Sequence, residues 1–284
     1  MAISIAYLGP SGTYTEAAAL AYRNWLKTET EQEGLLCPYP SIAQTLRSVT
    51  ARQADVAVVP VENSIQGNVA STLDTVWELD RLQIQHALVL PVEHALLSRA
   101  KSLADLETVY SHPQALGQCQ KWLERLGAKV QLIPTNSTTE ALRYLDKEPT
   151  AAAIASIRAS QLYNLPILAS NINDYPDNCT RFWVLGLSSS SNGSHISLAF
   201  SVPANVPGAL VKPLSVFAER EINLTRIESR PTKRSLGEYL FFIDLEGNAE
   251  EPSTQAALKE LTTYTEVLKI FGNYDILPMR LSKS

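Results

Sequence analysis

The chain has 284 residues, 45% hydrophobic and 19% charged, with 24 Lys+Arg against 29 Asp+Glu for a net charge of −5. This length allows two domains with a sizeable core. An acidic chain with no basic run argues against nucleic acid as a main partner, and no stretch approaches the roughly 18 consecutive apolar residues of a membrane span.

In chain order, the first strand is predicted at 3–8 (ISIAYL), followed by GPSGTYTE (9–16) at the start of a helix over 14–27. Gly9 and Gly12 permit a tight turn, Ser11, Thr13 and Thr15 can cap the helix, and its free N–H groups attract an anion. A second helix is predicted at 41–52 and a strand at 55–59, with PVENSIQGN (60–68) behind it. Glu62, Asn63 and Ser64 place a carboxylate, an amide and a hydroxyl at one strand end, more polar groups than capping of the helix over 68–79 requires. The run 84–97 (IQHALVLPVEHALL) is long, extended and interrupted by Pro91, as in a strand passing between two lobes. Strands at 107–111, 129–133 and 151–155 alternate with helices at 113–126 and 137–147. SHPQALGQC (111–119) reads as a helix start with Pro113 in the first turn; capping accounts for Ser111 and His112, and Gln114 can point at a ligand. In PTNSTTEAL (134–142), Asn136 or Ser137 caps a helix with Glu140 near its third position.

NINDYPDNCTRFWVLG (171–186) runs from a turn-forming stretch into a strand, with Thr180 and Arg181 at its mouth. An arginine there is costly unless something pairs with it. A substrate carboxylate or a nearby aspartate, Asp174 or Asp177, would serve. LSSSSNGSH (187–195) is a serine-rich linker. The remainder reads β-α-β-β-α-β: strand 196–202, a helix from Pro207 to about 221, strands 223–229 and 238–245, a helix over 253–271 and a last strand near 274–280. That is the ferredoxin-like order.

The fold class is α/β, with mostly parallel strands covered on both faces and polar clusters just behind them, where open α/β sheets place ligands. The N-terminus has no basic-then-apolar leader pattern, and Cys37, Cys119 and Cys179 are isolated. Both features fit a reduced, cytoplasmic setting. The histidines and cysteines lack metal-ligand spacing, so no metal is expected. No P-loop, dinucleotide fingerprint or nucleophile triad is present. Each Ser/Thr/Asn-rich helix start is weak as a site taken singly. Together with Thr180 and Arg181 they would surround a small, negatively charged molecule.

GPSGTYTEAA, PVENSIQGNV, SHPQALGQC, NSTTEAL, AAAIAS and NCTRFWVLG stand in the order found in prephenate dehydratases, and the C-terminal part resembles their ACT domain, with GALV at 208–211 and ESRP at 228–231. The resemblance covers nearly the whole chain and, with no chorismate mutase-like region ahead of it, implies the monofunctional form. It implies a bilobal catalytic region similar to type II periplasmic binding proteins over 1–187, with a second lobe at roughly 85–165. A linker at 188–195 and a ferredoxin-like ACT domain at 196–284 follow.

The implied activity is conversion of prephenate to phenylpyruvate, CO2 and water without a cofactor, in a homodimer or homotetramer regulated by L-phenylalanine. Thr180 is then the expected catalytic threonine, Arg181 the ligand of a substrate carboxylate, and Glu62 a possible proton source. Ser11, Thr13, Asn63, Ser64, Gln114, Asn136 and Phe182 are the expected substrate-binding residues. Gly208, Ala209, Leu210, Val211, Asn223, Glu228, Ser229, Arg230 and Pro231 are the expected effector-binding residues. Pro213 should bend the first regulatory helix. Two alternatives share the scaffold: an arogenate dehydratase, and a non-catalytic amino-acid or solute sensor.

Overall fold

The computed structural model describes residues 2–190, 192–277 and 279; Met1, Ser191 of the linker, Pro278 and residues 280–284, where the last strand was expected to end, lie outside them. The first lobe begins with β1 (Ile3–Leu8), α1 (Tyr14–Thr30), β2 (Gly34–Tyr39), α2 (Ile42–Thr50) and β3 (Val56–Asn63). β1 lies between β2 and β3, parallel to both. The Thr13 side chain accepts from Glu16 N–H, and the Glu16 carboxylate accepts from Gly12 N–H at 2.7 Å, a reciprocal cap that starts α1. Ala18, Ala19, Tyr22 and Leu26 form its buried stripe. Strand β2 was not predicted. It is an edge strand with Pro38 inside it and Leu35 exposed, so it lacks the apolar run of a central strand.

β4 (Gly67–Asn68), α3 (Ala70–Glu78) and β5 (Gln83–Pro91) complete the outward path. The run 84–97 is two strands in two sheets: β5 belongs to the first lobe, and β6 (His94–Ser98) opens the second. There follow β7 (Thr108–Ser111), α4 (Pro113–Gln118), α5 (Gln120–Leu123), β8 (Gln131–Pro134), β9 (Ala151–Ser156), α6 (Ile157–Tyr163) and β10 (Ile167–Ala169). These strands form a sheet in the order β10-β6-β9-β7-β8, with β9 (AAAIAS) buried along its whole length. The second-lobe sheet thus spans 94–169. The helix expected at 137–147 is one 3-10 stretch, Glu140–Tyr144, and that expected at 113–126 breaks into α4, α5 and a 3-10 turn. The chain returns as β11 (Cys179–Gly186), antiparallel between β3 and β5.

The last part contains β12 (His195–Ser201), α7 (Val211–Ala218), β13 (Leu224–Pro231), β14 (Tyr239–Glu246), α8 (Pro252–Leu261) and β15 (Val267–Leu277). Their order β13-β14-β12-β15 is that of a ferredoxin-like sheet. The helix expected over 253–271 ends at Leu261, because Thr262, Thr263 and Thr265 break it and Leu268 and Phe271 belong to a strand. Pro213 does not bend α7. It lies in the first turn, where its missing N–H would have no helical partner, and the first helical bond runs from Leu214 N–H to Leu210 C=O.

The two domains are not merely tethered. Asp275–Leu277 of β15 pair with His86–Leu88 of β5, joining both into one ten-stranded sheet. Gly272 makes this passage possible: a Cβ there would lie 2.4 Å from the Ile84 carbonyl oxygen. One apolar core contains Val59, Val61, Leu73 and Trp183 of the first lobe together with Ala199, Leu240, Phe242, Phe271 and Tyr274 of the last domain. The linker is pinned at its end, where Asn273 Nδ2 donates to the Gly193 carbonyl and the Ser194 hydroxyl to Asp275. Among the described residues no helix is long and apolar enough to cross a membrane.

Candidate active site

Two segments cross between the lobes: 92–93 outward and 170–178 on return. They are laced together. Val92 N–H donates to Asn178 C=O, Asn173 Nδ2 to Val92 C=O, and His94 N–H to Asn173 Oδ1. Asn173 and Asn178 of NINDYPDN are thus taken up in holding the hinge. Asp174 accepts from the N–H groups of Lys121 and Trp122 and does not reach Arg181.

Beside the hinge, a cleft of about 540 Å³ opens between the lobes, lined by Thr13, Tyr14, Asn63, His94, His112, Gln114, Gln118, Asn136, Ser137, Thr138, Thr180 and Phe182, among others. Thr13, Tyr14 and Thr15 bring the N-terminus of α1 to it. The N–H groups of Tyr14 and Thr15 have no acceptor among the described residues, leaving them for an anion. Among the described residues no lysine or arginine lines the cleft. Anion binding there falls to neutral donors and the helix dipole.

At the cleft floor, Thr180 is 8% exposed. Asn63 Oδ1 accepts from the backbone N–H groups of Ile65 and Gln66, which fixes the orientation of its amide. Asn63 Nδ2 therefore faces Thr180 and donates to its Oγ1 at 3.0 Å. The hydroxyl hydrogen of Thr180 has no acceptor among the described residues and is free for a ligand. Behind Asn63 runs a buried chain. Gln118 Nε2 donates to Asn63 Oδ1 at 3.3 Å, His94 Nε2 lies 2.8 Å from Gln118 Oε1, and Tyr14 Oη lies 2.7 Å from His94 Nδ1. Asn178 Nδ2 also donates to Gln118 Oε1, which makes that atom an acceptor and assigns the His94 hydrogen to Nε2. Donation then runs one way, from His94 through Gln118 and Asn63 to Thr180, and the Tyr14 hydroxyl, which also donates to the Glu93 carbonyl at 2.8 Å, closes the far end at His94 Nδ1.

Burial lowers the His94 pKa from 6.5, against the hydrogen bond to Gln118, so the ring is neutral. Burial pushes the Cys119 thiol up to about 12, which removes it as a nucleophile.

Of the residues expected to meet substrate, Thr13, Asn63, Gln114, Asn136, Thr180 and Phe182 line the cleft. Ser11 instead contacts the Tyr7 hydroxyl, and Ser64 Oγ accepts from Cys179 N–H. Arg181 and Glu62 lie elsewhere. At the bulge beside Arg181 and Phe182 the extra residue is Val61 of β3, so β11 keeps its own alternation there: Thr180 and Phe182 face the cleft and Arg181 faces away. Arg181 Nη1 lies 3.3 Å from Asp244 of β14 and 3.5 Å from Glu62. Thr180 and Arg181 were both expected to meet the substrate; strand alternation sends them to opposite faces here. Tyr14, His94 and Gln118 were not foreseen. The sequence signal available was three polar residues in otherwise apolar or capping contexts, without the sheet pairing that joins them.

In the last domain, Val211 and Gly208 are exposed, while Ala209 and Leu210 are half-buried. Asn223 donates to Glu246. Ser229 and Pro231 face outward, but Glu228 accepts from Asn68 at 2.9 Å, and Arg230 makes two 3.0 Å bonds to Asp74 of α3.

The model of the prephenate dehydratase family matches residues 5–190, and that of the ACT domain residues 196–263. A prephenate dehydratase of Lactococcus lactis subsp. cremoris is 36% identical over 282 residues, covering 96% of this chain and 98% of that protein. A bifunctional chorismate mutase/prephenate dehydratase of Aquifex aeolicus is 42% identical over 274 residues, 96% of this chain and 73% of the relative. The crystal structure of an Arthrobacter aurescens prephenate dehydratase in complex with L-Phe superposes with a TM-score of 0.84 at 30% identity, covering 98% of this chain and 93% of that one. With both models placed on the two domains, and the Lactococcus lactis enzyme matched along almost its full length, the chain belongs to the prephenate dehydratase family and carries a C-terminal ACT domain.

Proposed function

We propose that the cleft converts prephenate to phenylpyruvate, CO2 and water, and that L-phenylalanine regulates the reaction through the ACT domain. The observation that carries this is Thr180, a buried hydroxyl whose oxygen is held by Asn63 and whose hydrogen is left free in an anion-accepting cleft.

Prephenate is a dianion, and aromatisation drives its breakdown. The electron pair of the bond to the ring carboxylate enters the ring as CO2 leaves. The ring hydroxyl departs from the opposite carbon, and one proton from solvent balances the water formed. Charge accumulates on the departing oxygen, and Thr180 donates a hydrogen bond to it. The N–H groups at the start of α1, with Gln114, Asn136 and Thr138, hold the carboxylates. Glu62, on the other side of the sheet, takes no part in the proton transfer.

Side-by-side assays of prephenate and arogenate, each with and without L-phenylalanine, test the assignment. Turnover of prephenate, suppressed by L-phenylalanine, is expected. Faster turnover of arogenate, or binding of prephenate without turnover, overturns it.

His94 makes the site pH-sensitive. Its folded pKa lies below 6.5, so as pH falls through 6.5 the unfolded chain takes up the proton first. The stability it contributes is complete above that value and is lost as pH falls through the folded pKa. Protonation puts a hydrogen on Nδ1 and a positive charge on a buried ring at the head of the chain to Thr180, a cost that loosens the arrangement holding that hydroxyl. After subtraction of the spontaneous rate, kcat should show an acid limb below pH 6.5 that the His94→Gln variant lacks. An unchanged limb in that variant excludes the relay.

A further inference from the structure

We infer that Arg181 is a positioning residue operated by the ACT domain, and that Asn68, Arg226 and Asp244 connect ACT-domain ligation to the Asn63–Thr180 pair. This rests on the reading of the ACT domain as an L-phenylalanine sensor.

Asp244 is fully buried on β14. It accepts from the Ser197 hydroxyl, from Arg226 at 2.7 and 3.1 Å, and from Arg181 at 3.3 Å. An ACT-domain carboxylate thus holds two guanidinium groups, one from its own domain and one from the residue next to Thr180. A buried charge tolerates little displacement of its partners, so the spacing of these groups is coupled. Arg181 is incompletely satisfied. Its Nε is buried without a hydrogen-bond partner, and its Nη1 is shared between Asp244 and Glu62. Such a side chain is held in place by the balance of two carboxylates and shifts when one of them moves.

A second contact reaches the same place. Arg226 Nη1 donates to Asn68 Oδ1 at 2.7 Å, and Asn68 Nδ2 donates to Glu228. Asn68 lies on β4, opposite Glu62 in the ladder whose next pair contains Asn63. On β13, Arg226, Glu228 and Arg230 turn toward the catalytic lobe, and Ile227, Ser229 and Pro231 turn outward. Period-two alternation therefore gives one strand an outward face for a ligand and an inward face bonded to β4 and α3. A shift of β13 is transmitted to Asn68 and Asp244, and from both to the residues that orient Thr180.

The test uses the full chain and the variants Asp244→Asn, Arg181→Lys, Asn68→Ser and the double variant of the first two. For each, kcat, KM, L-phenylalanine binding by calorimetry and L-phenylalanine response are measured. Asp244→Asn and Arg181→Lys are each expected to lower kcat about fivefold or more with KM within about twofold, and the double variant should lose little more than either alone. L-phenylalanine should still bind, with its effect on kcat weakened about tenfold. Asn68→Ser, which leaves the charged cluster in place, keeps the test open should an ionic variant fold poorly. It should weaken the response while KM is unchanged. A rise in KM of about tenfold in Arg181→Lys, with the L-phenylalanine response intact and the two losses additive, makes Arg181 a substrate ligand and overturns the inference. Should the unaltered chain turn over prephenate yet ignore L-phenylalanine, the regulatory reading fails, and the kcat–KM division still decides the role of Arg181.

Discussion

Replacing Thr180 by alanine is expected to lower kcat about a hundredfold or more, with KM changed only a few-fold, while serine at the same position retains most of the activity. A hundredfold corresponds to about 2.7 kcal/mol, the scale of one donor aimed at charge that develops only in the transition state. The split between kcat and KM follows because the ring hydroxyl carries little charge in the ground state. Alanine removes the donor and leaves Asn63 Nδ2 with one acceptor fewer, though Asn178 Oδ1 and Cys179 C=O remain at 2.8 and 3.1 Å, so folding should survive. Steady-state kinetics with prephenate measures this. Normal turnover by Thr180→Ala would falsify the assignment of that hydroxyl.

An Asn63→Asp substitution is expected to do as much damage with almost no change in shape. The carboxylate keeps the acceptor that serves Ile65 N–H, Gln66 N–H and Gln118 Nε2. It loses the donor. Thr180 then turns its own hydrogen toward position 63 and away from the cleft, and a negative charge stands beside a site for a dianion. We expect kcat to fall about a hundredfold and KM to rise about tenfold, the second loss easing as salt screens the charge. If Asn63→Asp stays within about twofold of the unaltered chain in both constants, the donor chain does not orient Thr180.

Much of the fold was legible in local pattern. Apolar runs marked β1, β3, β9 and β11. The Gly9–Gly12 turn with Ser11, Thr13 and Thr15 as candidate caps marked the start of α1, and the order of elements after residue 195 marked a ferredoxin-like domain. What escaped had competing local signals. β2 carries a proline and an exposed leucine, as edge strands do. In β15, Leu268 and Phe271 happen to extend the helical spacing of α8, and only the threonines between them and the tertiary pairing with β12 and β5 make them strand. The second lobe's short 3-10 pieces follow capping motifs that launch no long helix, because propensity sets only a weak preference that packing overrides.

By itself the sequence determined the family, the two-domain plan and the polar set at the strand ends, because these depend on residue types at fixed local spacing. The tertiary structure alone decided which side of the sheet each polar residue serves. Thr180 and Arg181 are neighbours in sequence and were expected to share a substrate. Alternation along a regular β11 sends Thr180 to the cleft, where Asn63 of a neighbouring strand orients it. It sends Arg181 the other way, to Glu62 and to Asp244, 63 residues further along the chain. His94, Gln118 and Tyr14 join the site for the same reason. Hydrogen-bond partners in a buried network are set by the meeting of distant strands and helices, which no local spacing records.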